Sequence, residues 1–167
     1  MVKKAVNLCI MTVAFAAMTQ GLDAQEAACP VKPGEEAAVV ETVRGMYAAA
    51  TVDDRPKVKS YFAPGFYMFD GGQRFDGDAI MDAIESYYKQ GVKFVWNVTK
   101  PDVHIHCNQA WIAYVNDGSI LMPGASEPMP TKWLESVMLE RQDGMWKMVF
   151  FHSTRVTPPP PAPQPAK

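Results

Sequence analysis

Asp70 closes the aromatic run "GFYMFD", and a carboxylate bordered by so many apolar side chains is partly withdrawn from water. Withdrawal disfavours the charged form, raises the pKa and makes the group a better proton shuttle near neutrality. The same aspartate precedes Gly71 and Gly72, so it suits the start of a turn equally well. Tyr47 falls on the apolar face of a helical pattern, where its hydroxyl is either a donor to a ligand or a core group satisfied locally. His152 ends the last apolar run, "WKMVFFHST", beside two hydroxyls. Its partner depends on hairpin register. A two-residue turn at Asp143–Gly144 sets Glu135 opposite it as an acid–imidazole pair, whereas a three-residue turn sets Leu134 there. His104 and His106 in "VHIHC" share one face of a strand and could offer two zinc ligands. No third ligand stands at short spacing and Cys107 points the other way, so no metal is expected and the pair reads as surface or dimer-face histidines. No phosphate-binding loop, dinucleotide fingerprint, zinc-protease motif or nucleophile elbow is present, and no cofactor is expected.

The elements that must position these residues can be read from periodicity. "GEEAAVVETVRGMYAAA" spaces Val39, Val40, Val43, Met46 and Tyr47 along one helical face, with Glu35 and Glu36 at the end that favours negative charge. "DDRPKVKSYF" predicts a turn and a short helix broken at Pro64, and "GFYMFDGG" a strand. "DGDAIMDAIESYYKQG" is a second amphipathic helix, capped by Asp76 or Asp78 and stopped by Gly91. From there the pattern is β. Two or three strand segments run to a turn signal at "NDG", residues 116–118, and a long antiparallel hairpin turns at "QDG", residues 142–144. Helices first and antiparallel strands last predict an α+β domain whose helices pack on one face of a curved sheet. Trp96, Trp111 and Tyr67 are candidates for the walls of a concave site suited to a flat apolar ligand, with ordinary core packing as the alternative.

The chain's ends bound its context. Lys3 and Lys4, an uncharged apolar stretch over residues 5–18 and a polar stretch ending near Ala24 have the three parts of a secretory signal. The apolar stretch is shorter than the roughly 20 residues of a bilayer span. Residues 1–25 are therefore expected to be a signal peptide, an uncleaved anchor being the alternative, and the mature protein is expected to be periplasmic or secreted with no membrane insertion. The tail "TPPPPAPQPAK", residues 157–167, favours extended polyproline II and serves as a spacer or a docking peptide. Between them, residues 34–156 allow one domain with a modest core. The formal net charge of -2 and the absence of long like-charge runs argue against a nucleic-acid partner. Once Cys9 leaves with the signal, Cys29 and Cys107 remain, either as a disulfide in an oxidising compartment or as two thiols.

In its order of elements the chain resembles the nuclear transport factor 2-like superfamily, the cone fold shared by ketosteroid isomerases and SnoaL-like cyclases. The resemblance rests on "MYAAATVDDRPKVKSYFAPGFYMFDGG", on "FDGDAI" at the entry to the second helix, and on the closing "ESVMLERQDGMWKMVFFHS". It implies a cone whose sheet curls round an apolar pocket with the helices as its lid, and a homodimer formed through the sheet's other face. Aligned through "YFA", the steroid-isomerase branch implies Asp70 as catalytic base and Tyr47 as hydrogen-bond donor. Glu135 is the nearest candidate for the second acid, with Ser136 as the alternative pocket-facing residue and His152 beside them. The function so implied is binding of a small, largely apolar molecule with proton transfer on it. The alternative is a non-catalytic dimeric interaction module of the cell envelope.

Overall fold

The computed structural model describes residues 29–157. The expected signal peptide, and all of the proline-rich tail beyond Thr157, lie outside these residues. Helix α1 spans Glu35–Thr51, and the short α2, Arg55–Lys59, starts where the Asp54 carboxylate accepts from the Lys57 N–H. Strand β1, Phe62–Asp70, begins earlier than the sequence pattern indicates. Pro64 and Gly65, the latter at φ 77°, are taken up in an irregular stretch between two paired segments of the strand. Strand β2, Gln73–Asp76, returns along β1 through the left-handed Gly71 and Gly72, and was too short to register in the sequence. Asp76 then caps α3, Gly77–Lys89, by accepting from the N–H groups of Asp78 and Ala79.

Strands β3 (Lys93–Val95), β4 (Val98–His106), β5 (Gln109–Leu121), β6 (Met129–Gln142) and β7 (Met145–Arg155) complete one seven-stranded sheet. The order is β2-β1-β7-β6-β5, with β3 and β4 both pairing with β5. β1 and β7 run parallel, the one exception to the expected antiparallel sheet. One face carries Phe66, Met68, Ile112, Val137, Leu139, Met148 and Phe151, packed with Val39, Val43 and Met46 of α1 and Met81 of α3 as the main core. The other face leaves Trp111, Leu134, Met138 and Phe69 exposed.

Two turn expectations need correction. Asn116–Gly118 lies inside β5. Asn116 accepts from the Asn97 N–H and Gly118 lets the Val95 carbonyl approach, so these residues serve the corner between β3 and β4 rather than a reversal of β5. The Asp143–Gly144 turn does form, both residues left-handed at φ 51° and 79° as a two-residue turn demands. A bulge at Val149 then shifts the register, so Ser136 faces His152 and Glu135 faces Ser153. Neither register weighed above allowed for that extra residue.

Cys29 and Cys107 are joined across 78 residues, tying the N-terminal segment to the β4–β5 turn. Reduction is expected to cost about 2–4 kcal/mol of unfolding free energy by loosening the unfolded chain. Denaturant unfolding with and without a reducing agent checks this.

Candidate functional site

Four elements converge on Glu135. Its side chain, 6% exposed on β6, accepts from the Tyr47 hydroxyl of α1 at 2.6 Å and from Asn116 Nδ2 of β5 at 3.1 Å, both at Oε2. Oε1 accepts from the Ser153 hydroxyl of β7 at 3.1 Å. The inward alternation of each strand places these polar groups there: Tyr114, Glu135 and Ser153 share the face that bears Ile112, Val137 and Phe151. Burial pushes the Glu135 carboxyl above its usual range, against the opposing pull of its hydrogen bonds. Burial, and then the Glu135 charge, raises the Tyr47 phenol well above its ordinary value. The Tyr114 hydroxyl faces the same group but completes no hydrogen bond of normal geometry. Trp96 stacks on Tyr47 with ring centres 5.2 Å apart and helps seal this interior.

Asp70 stands on the other side of Ser153. It ends β1 half-buried, and burial raises its carboxyl above 3.8. Ser153, the Gly71 N–H and the positive potential of His152 oppose that shift. Asp70 and Phe69, with the Gly71–Gly72 turn, form one wall of a cavity of about 530 Å³. The last residues of β7, His152 to Arg155, form the other. His152 packs its edge against Phe69 and lies 3.4 Å from the Thr154 hydroxyl. A carboxylate of raised pKa thus borders an open space, with the Ser153 hydroxyl beside it. That arrangement can take up and return a proton at the cavity.

The expected site residues are therefore divided. Asp70 and His152 line the cavity, whereas Tyr47 and Glu135 bond to each other behind Ser153 and do not reach it. Ser136, displaced by the Val149 bulge, sits opposite His152 away from the Asp70 side. Trp111 faces outward and stacks on His104, and Tyr67 packs with Phe69 and Phe150, so neither is a wall of this cavity; nor is Trp96. Sequence reasoning missed Ser153, Thr154 and Arg155, although the two hydroxyls beside His152 were visible, and it assigned Asn116 to a turn. No group of His, Cys, Asp and Glu among the described residues is arranged to hold a metal ion.

Residues 39–157 match the SnoaL-like domain family. No curated protein matches the chain. Among solved structures it is similar to a ketosteroid isomerase-like protein from Erwinia carotovora atroseptica SCRI1043, with 14% identity, a TM-score of 0.62 and coverage of 76% of this chain and 100% of that one. It is also similar to an NTF2-like protein of unknown function from Pseudomonas putida KT2440, at 19% identity and TM-score 0.62, covering 75% and 89% of the two chains. The CamKII hub homology domain of Chlamydamonas reinhardtii matches at 19% identity and TM-score 0.60, covering 74% of this chain and 99% of that one. At these identities the likeness establishes the cone fold.

Proposed function

Because the chain belongs to the SnoaL-like domain family, we propose that it binds a small, largely apolar molecule at Asp70 and moves a proton on it. The observation that carries this is the half-buried Asp70, its pKa raised by burial, at the wall of a cavity of about 530 Å³. Such a volume lies within the range of small-molecule sites, roughly 300–1,000 Å³. Asp70 acts as the base: it takes a proton from the ligand, and the electron pair left behind passes to an adjacent electronegative atom. His152 and Thr154 carry donors on the other wall of the cavity. Tyr47 holds Glu135, and Glu135 holds the Ser153 hydroxyl beside Asp70.

The disulfide supports residence in an oxidising compartment, periplasmic or secreted. No described helix is long and apolar enough to cross a membrane. The exposed Trp111, Leu134 and Met138 of the outer face suit a homodimer. The same face favours a second reading, a non-catalytic assembly module, which the likeness to a hub homology domain supports.

Filling the cavity separates the two. Thr154 is exposed at its wall, and Thr154→Trp places an indole in the space without touching the core. Native mass spectrometry of the protein purified from its host is expected to show a retained small molecule on the wild type and none on the variant. Identical bare masses with oligomerisation intact would favour the assembly module.

A further inference from the structure

The far end of the cavity indicates the ligand's chemistry. β1 stops at Asp70 while β7 continues to Arg155, so the last β7 residues border open space on that side. Ser153 and Arg155 are two apart on one strand and share a face, with about 6.6 Å between them along it. The guanidinium is charged at any accessible pH and presents a planar fork that matches a carboxylate. Among the described residues Arg155 makes no ion pair, whereas Arg44, Arg55 and Arg141 are each engaged with a glutamate or aspartate. Arg74 lies over the Tyr67 ring. Arg155 is thus an uncommitted cation among the residues that line the cavity, with Asp70 the single acid among them.

We propose that the occupant is a ring-sized apolar molecule bearing a carboxylate. The carboxylate lies on Arg155, and a carbon about one ring's width from it meets Asp70. This deepens the binding reading above and rests on it. The nearby Asp70 repels a second anion only when ionised, and its raised pKa lessens that repulsion.

The test uses 3-phenylpropanoate and its neutral amide, titrated by calorimetry into the disulfide-bonded protein and into Arg155→Gln. Arg155 is exposed, so the variant is expected to unfold at the same temperature as the wild type. The carboxylate is expected to bind the variant about tenfold more weakly, the loss of one charge-assisted pair. The amide is expected to bind both proteins alike. Equal affinity of carboxylate and amide for the wild type, or an unchanged carboxylate affinity in the variant, overturns the anion proposal and leaves the apolar cavity standing. Binding of neither probe overturns both.

Discussion

Asp70→Asn is expected to slow proton exchange on the bound ligand by about 10²–10⁴-fold, the usual worth of a positioned acid–base group. Solvent deuterium entering the molecule that the protein retains, followed by mass spectrometry, reads this directly. The fold should be preserved, because an asparagine carbonyl still accepts from the Gly71 N–H that now bonds the carboxylate. The wild-type rate should also depend on pH in one direction. The base is the ionised form, and burial raises its pKa, so exchange should be lost on the acid side above the ordinary aspartate value of 3.8 and should level off at higher pH. Exchange as fast in Asp70→Asn as in the wild type would leave the aspartate with its turn at Gly71–Gly72 and nothing more.

Glu135→Ala carries the largest expected loss of stability. It strands the Tyr47 hydroxyl, Asn116 Nδ2 and the Ser153 hydroxyl in a closed interior. Each buried donor left without a partner costs about 1–3 kcal/mol, so a total of roughly 3 kcal/mol or more is expected. Glu135→Gln behaves differently. Its amide oxygen still accepts from Tyr47 and Asn116, and the Ser153 hydroxyl can turn to accept from the new amide nitrogen. The sign of the pH effect follows from burial. The folded-state pKa of Glu135 is raised, so the fold holds a proton that the unfolded chain releases, and stability falls as pH rises from 4.5 through that raised value. Glu135→Gln removes this fall and should gain on the wild type at neutral pH. Denaturant unfolding across pH separates the three proteins. A glutamine variant as unstable as the alanine variant would mean that the carboxylate charge itself is required.

The sequence made the frame visible where a local rule decides it. Asp143–Gly144 could be read as a hairpin turn because both positions need positive φ, and Asp76 as a cap because its side chain reaches the first N–H groups of α3. The site depended on facts that are not local. The Val149 bulge shifts β7 by one residue, and only then does Glu135 meet Ser153 instead of His152. Asn116 and Gly118 are turn-forming residues, yet they are used at the corner where β5 changes its pairing from β3 to β4, a relation that no window of sequence contains. Tyr47 and Glu135 are separated by 88 residues, and their mutual bond takes both away from the cavity for which the resemblance had recruited them. The cavity itself comes from β1 ending before β7, a difference in strand length that composition does not record.

The proposed role of Asp70 as a proton-transfer group held by its surroundings is tested by its own titration. Carboxyl ¹³C NMR on the disulfide-bonded protein should show Asp70 titrating above 3.8, and higher still in Ser153→Ala, which removes the first of the interactions that favour its ionised form. An Asp70 that titrates at or below 3.8 and does not respond to Ser153→Ala would be a solvated turn residue, and the proposed chemistry would have no base.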